Sequence, residues 1–207
     1  MNLVGMELIF ATGNAGKARE AALISSSLEA RYGVHLDISA MPDKVDIPET
    51  GDSYEENSLQ KAMYVWNRYG KDCIADDSGL EVEALGGAPG IYTARYCDHN
   101  FADGIDKLLH ELERLGADRP QLRRCRFVCC ITLVINGIAR QFRGECPGLI
   151  SDRRCGCGGF GFDPVFIADA TPGRCMAELS EKDKNLVSHR ARAMEEMFKW
   201  LKENNIK

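Results

Sequence analysis

Two strand-like runs, RRCRFVCCITLVI (residues 123–135) and IARQFRGEC (138–146), flank the dipeptide Asn136-Gly137. Asn-Gly between two such runs is the signature of a type I′ turn, whose twist matches that of antiparallel strands. This long hairpin commits the chain to a sheet with antiparallel pairing. The rest of the chain alternates strand and helix patterns, so the sheet is expected to be mixed.

Glu7–Ala11 reads as the first strand and Lys17–Tyr32 as a helix ended by Gly33, with Val34–Ile38 as a second strand. Pro42–Tyr54 is an acidic loop, followed by a helix over Glu55–Tyr69 that stops at Gly70. Cys73–Asp76 is a short buried strand entering a loop, DDSG, and the glycine-rich stretch after it is irregular. Asp103–Leu115 is an amphipathic helix with Ile105, Leu108, Leu109, Leu112 and Leu115 on one face. Phe160–Ile167 reads as a further strand. Ser180 and Asp183 resemble a capping box, and Ser188–Glu203 forms the last helix, with Met194, Met197, Phe198 and Leu201 inward. The expectation is an α/β fold over residues 1–207: a mixed sheet flanked by helices, in two lobes with a cleft between them. Met1–Gly5 reads as a dispensable extension.

The formal net charge of −5 argues against a nucleic-acid-binding surface, so an anionic ligand must be met by a local cluster of Lys and Arg. No apolar run approaches the ~20 residues of a membrane span, and the start lacks a basic n-region. Nine Cys suggest a reducing cytosol. Cys155 and Cys157 are spaced C-x-C with no second pair at zinc spacing, which speaks against a structural zinc site, and no spacing predicts a specific disulfide.

FATGNAGKARE (10–20) has the look of a phosphate-binding loop, but not of a P-loop. That pattern needs Gly where Ala11 stands and Ser or Thr where Ala18 stands. A strand–turn–helix carrying Thr12, Asn14 and Lys17 still suits an anion, because helix N-termini present N–H groups and a favourable dipole. An ordinary βα turn with a surface lysine fits the same residues.

ADDSG (75–79) places two carboxylates at a strand end, where they can hold Mg²⁺ or take a proton from water. A simple turn is the alternative. Adjacent residues on a strand face opposite ways, so only one of Asp76 and Asp77 can point at a ligand. Glu49 lies in an acidic loop, and Asn57 and Lys61 share a helix face. In GGFGFDPVF (158–166), Phe160 between two glycines suits stacking on a base, with Asp163 near its edge; Phe162 and Phe166 suit core. Ser188-His189-Arg190 opens a helix with donors fit for a carbonyl, or is a plain cap with exposed His and Arg. Lys184 lies one turn earlier.

Together these residues fit one ligand, a nucleoside triphosphate with its metal. TGNAGK, IPETG, ENSLQKA, ADDSGLEVEALGGAPGIYTARY, GGFGFDP and EKDKNLVSHR occur in the order and spacing of the inosine triphosphate pyrophosphatase family, which the chain closely resembles over nearly its whole length. The resemblance implies an elongated α/β fold with a central cleft, a cytoplasmic homodimer and dependence on Mg²⁺. It also implies hydrolysis of ITP, dITP and XTP to the monophosphate and pyrophosphate. By motif it assigns Asp77 as catalytic base and, with Glu49, as metal carboxylate. Thr12, Gly13, Asn14, Ala15, Gly16, Lys17 and Lys61 would contact phosphates, and Ser78 the substrate. Phe160, Gly161, Phe162, Asp163, Lys184, His189 and Arg190 would form the base pocket, with His189 and Arg190 donating to the purine 6-carbonyl. Cys146 stands where the family leads one to expect an aromatic before Pro147, and residues 146–157 depart most from it. The remaining readings are a pyrophosphatase for another modified or pyrimidine nucleotide and a non-catalytic nucleotide-binding protein.

Overall fold

The computed structural model describes residues 5–43, 45, 47–97 and 100–206. The extension Met1–Gly5, apart from Gly5, lies outside the described residues, as do Lys44 and Asp46 of the acidic loop. The strands are β1 (Met6–Phe10), β2 (Leu36–Ala40), β3 (Cys73–Val82), β4 (Pro89–Gly90), β5 (Arg124–Ile135), β6 (Ile138–Ile150) and β7 (Phe166–Ala168). The helices are α1 (Ala15–Tyr32), α2 (Tyr54–Tyr69), α3 (Thr93–Tyr96), α4 (Phe101–Arg114), α5 (Glu181–Val187) and α6 (His189–Glu203). No helix among the described residues is long and apolar enough to cross a membrane.

Among the described residues, seven strands join one sheet in the order β2-β1-β3-β5-β6-β7, with β4 alongside β3. The sheet is mixed, as the sequence leads one to expect. β1 runs parallel to β2, with Leu8 opposite Ile38, and to β3, with Ile9 opposite Cys73. β3–β4 and β6–β7 are antiparallel. Between β5 and β6, Asn136 and Gly137 take φ of 49° and 78°, the two left-handed positions of a type I′ turn.

Local chemistry sets the helix ends. Asn14 Oδ1 accepts the Lys17 N–H at the start of α1, and Ser53 Oγ accepts the Glu56 N–H at the start of α2. Gly33 and Gly70 close the two helices in the left-handed conformation. Ser180 Oγ accepts the Asp183 N–H and donates to its carboxylate, opening α5.

The described residues fall into two compact units, and β3, β5 and β6 contribute to both. The first comprises the chain through Asp77, Cys129–Gly144 and Arg190 onward; the second comprises Ser78–Val128 and Glu145–His189. In the first unit, Ile24 and Leu28 of α1 and Met194, Met197, Phe198 and Leu201 of α6 close on Leu8, Phe10, Ile74 and Ile131. Ala62 and Val65 of α2 pack instead with Cys73, Ala75 and Val134. The second unit buries Ile105, Leu108 and Leu112 of α4 with Leu80, Phe127 and Phe166.

Three expectations are corrected. β3 does not stop at Asp76 but runs through DDSG to Val82. Phe160–Val165 forms turns rather than strand, because Gly159 and Gly161 sit at φ of 72° and 66°, and only Phe166–Ala168 pairs in the sheet. Leu115 is 57% exposed: it is the residue after α4, where the helical stripe has ended.

Candidate active site

Strand alternation sorts the residues of β3 in the first unit. Ile74 packs with the α1 and α6 side chains, whereas Cys73 and Ala75 pack with α2. Asp76 follows Ile74 and Asp77 follows Ala75, so the two adjacent carboxylates meet different partners.

Asp76 meets cations from α1 and α6. Its Oδ2 accepts from Arg190 Nε at 3.0 Å and Nη2 at 2.7 Å, and Lys17 Nζ lies 3.4 Å from Oδ1. Burial alone would raise the Asp76 pKa, but the charges of Lys17, Arg190 and Lys61 outweigh it and hold the carboxyl well below the usual range. Arg190 also pairs with Glu20 of α1. Burial opposes the Arg190 charge, and Asp76 and Glu20 more than restore it.

Asp77 meets α2. Asn57 Nδ2 donates to its Oδ2 at 3.2 Å, and Lys61 Nζ lies 3.6 Å from its Oδ1. The Asn57 carbonyl accepts the Gly51 N–H at 2.8 Å, which ties the Glu49 loop to the same helix. Glu49 itself pairs with Lys61. Burial pushes the Asp77 pKa up and Glu49 adds to this, against the pull of Lys61 and Lys17. Lys61 is nine-tenths or more buried, which disfavours its charge, yet Asp77, Asp76 and Glu49 keep its pKa raised.

The loop before α1 is organised by its own side chains. Thr12 Oγ1 accepts the Asn14 N–H at 3.2 Å, and Asn14 in turn caps Lys17. Gly13, Asn14 and Ala15 are exposed and Gly16 is half-buried, while Lys17 extends to Asp76. Thus Thr12, Asn14, Lys17, Glu49, Lys61, Asp77 and Arg190 all belong to the first unit.

The second unit carries the others. Ser78 is half-buried on β3. Asp163 Oδ2 accepts from Lys184 Nζ at 2.6 Å and from the Phe160 N–H at 2.7 Å. The turn comes so close to the Asp163 carboxyl that a Cβ on Gly159 would sit 2.8 Å from its Cγ, so only glycine fits there. Lys184 Nζ lies 4.3 Å from the centre of the half-buried Phe160 ring. His189 stacks on Phe127 at 4.8 Å, with the planes 17° apart.

Two site expectations change. Phe162 is buried, edge-on to Phe101 at 5.8 Å and near Tyr96 at 6.5 Å, so its ring supports the Gly158–Asp163 turn from within the core. Arg190 is not an outward donor. It is 1% exposed and its guanidinium is committed to Asp76 and Glu20. Asp76, Glu20 and Asn57 are organising residues that the sequence-based site omits. For Asp76 the signal was present in the period of two along the strand, and for Glu20 in its place one turn after Lys17.

The sequence profile of the Ham1 family matches residues 8–200. The dITP/XTP pyrophosphatase of Christiangramia forsetii is 40% identical over 198 residues, which span 95% of this chain and 99% of that protein. The dITP/XTP pyrophosphatase of Geobacter sulfurreducens is 43% identical, over 90% of this chain and 92% of its own. Among solved structures, a HAM1 protein from Coxiella burnetii superposes with a TM-score of 0.81 at 32% identity, and the Staphylococcus aureus Ham1 protein with 0.77 at 33%. Each alignment covers 96% of this chain and 99% of the other.

Proposed function

The chain belongs to the Ham1 family, and from that premise we propose that it hydrolyses ITP, dITP and XTP to the monophosphate and pyrophosphate. The observation that carries the reading is the Asp77 environment: a carboxylate raised in pKa by burial, fixed by Asn57 and faced by Lys61 and Glu49. Relatives about 40% identical that are named dITP/XTP pyrophosphatases support the substrate class.

Asp77 takes the proton of the water that attacks the α-phosphorus. Its raised pKa makes it a stronger base than an ordinary carboxylate. Lys61 and Lys17 offset charge on the phosphates and on the departing pyrophosphate. The N-terminus of α1 and the Thr12–Lys17 loop receive phosphate oxygens. Arg190 acts through Asp76, holding the carboxylate that positions Lys17.

Glu49 and Asp77 fit Mg²⁺. They are hard oxygen donors gathered on one cation, Lys61, and the repulsion of Glu49 on Asp77 is a cost that a divalent ion relieves. When bound there, Mg²⁺ supplies charge stabilisation at the scissile phosphate. Phe160 stacks on the base, Asp163 orients Lys184, and His189, held flat on Phe127, donates to the 6-carbonyl that hypoxanthine and xanthine share. An adenine amine would leave such a donor unpaired. We infer a cytoplasmic homodimer from the family resemblance, to be checked by light scattering.

The test is pyrophosphate release from ITP, XTP, dITP, ATP, GTP and CTP, with Mg²⁺ and with EDTA. Mg²⁺-dependent release confined to the first three supports the proposal. Equal release from all six sinks the assignment of the base pocket. Orthophosphate as product places attack on a different phosphorus.

A further inference from the structure

Cys155 lies in the second unit, and there that thiol does not stand alone. Cys155, Cys175 and Glu178 each offer a ligand atom, and the three atoms lie within 4.8 Å of one another. Their backbones are fixed. The Cys155 N–H donates to Pro164 O at 2.8 Å, and Cys175 bridges antiparallel to Ile167 of β7. The Cys175 N–H donates to Glu178 Oε2 at 2.7 Å, which holds that carboxylate beside the thiols. Cys175 is buried, Cys155 half-buried and Glu178 exposed, so the cluster is closed on its protein side and open to solvent on the other.

We propose that Cys155, Cys175 and Glu178 form a binding site for a thiophilic divalent cation of the zinc class, with a water completing the tetrahedron. Thiolate sulfur and carboxylate oxygen are both zinc ligands, whereas Mg²⁺ binds oxygen and avoids thiolates. Tetrahedral zinc, with Zn–S near ~2.3 Å, needs sulfurs about 3.8 Å apart. The 4.8 Å limit on the separations of the three ligand atoms is compatible with that spacing. Binding converts Zn²⁺ and two thiols into a bis-thiolate complex and releases two protons.

The site sits where it can act on the neighbouring turn. The Gly158 N–H donates to Ala177 O at 3.0 Å, and the Ala177 N–H donates to Asp163 O at 3.1 Å. A bound ion therefore pins the Gly158–Asp163 turn at its base, whatever that turn recognises.

The experiment titrates reduced, chelator-washed protein with Co²⁺, with Mg²⁺ in excess to fill the Glu49 and Asp77 carboxylates. The expected result is a thiolate-to-cobalt charge-transfer band that develops with release of two protons, saturates at a single equivalent, and is abolished without further proton release when Zn²⁺ displaces Co²⁺. The band is lost in Cys155→Ser and kept in Cys157→Ser. Zn²⁺ raises the Tm of the unsubstituted protein but not of Cys155→Ser, whose partly exposed position tolerates the change. Absence of the band, or its survival in Cys155→Ser, overturns the proposal. So does recovery of Cys155 and Cys175 as a disulfide that Zn²⁺ fails to prevent in air.

Discussion

At the scale of the residue, Asp76 and Asp77 are neighbours with opposite electrostatics. Asp77→Asn is expected to lower kcat by about 10²–10⁴, the usual worth of a positioned general base, while nucleotide affinity survives. The same substitution should raise Tm at neutral pH, because burial and Glu49 make the ionised carboxyl a liability to the fold. Differential scanning fluorimetry alongside an activity assay checks both, and an active variant would remove Asp77 as the base. Asp76→Asn should do the reverse to stability, costing about 3–5 kcal/mol by stripping Arg190 of a buried partner. Phe160→Ala is expected to raise KM with little change in kcat; an unchanged KM would end its stacking role. The sequence made legible that the two Asp diverge. It did not make legible which partners each meets, because Lys17, Arg190, Asn57 and Lys61 arrive from distant helices.

At the scale of the element, features governed by near neighbours in the chain were legible. The helix caps and the Asn136-Gly137 turn use only a few consecutive residues. Gly137→Ala tests the turn directly. A side chain at φ of 78° is strained, and the added Cβ meets Trp66 at 3.2 Å, so a loss of about 1–2 kcal/mol is expected in urea unfolding. β3 escaped a local reading because Asp, Ser and Gly form turns when nothing distant holds them. Here Asp76 and Asp77 are each held by ion pairs, and a Cβ on Gly79 would collide with Gly90 O of β4 and stand 2.7 Å from Thr93 Oγ1 of α3. Gly79→Ala should therefore displace the strand two residues after Asp77 and lower kcat more than it raises KM. Phe160–Val165 was misread for a complementary reason: aromatic residues favour strand, but the alternate left-handed glycines fold the segment back on Asp163.

At the scale of the whole molecule, the charge network makes stability depend on pH in a definite sense. Asp76 has a depressed pKa when folded, so its contribution is present above its unfolded value near ~4 and is lost as pH falls through the folded one. Asp77, raised when folded, contributes with the opposite sign, and its cost is relieved as pH falls. The stability gap between the unsubstituted protein and Asp76→Asn should be flat near neutrality and close below about pH 4, as chemical unfolding at several pH values would show. Composition leads one to expect local cations, and Lys17, Lys61 and Arg190 do gather around β3, where Asp76 and Asp77 pair with them. It could not foresee that Cys175 approaches Cys155, since contacts across twenty positions are set by the pairing of β7 at the sheet edge rather than by spacing. The remaining thiols have a practical consequence. All nine are unbridged, seven are buried, and burial pushes Cys73 and Cys130 up to about 12 and about 11. Toward an alkylating reagent at neutral pH, this nine-cysteine chain behaves as one with two addressable handles, Cys155 and Cys157. With Cys155 replaced by serine, a fluorophore on Cys157 would report on the adjoining Gly158–Asp163 turn while the seven buried cysteines stay in place.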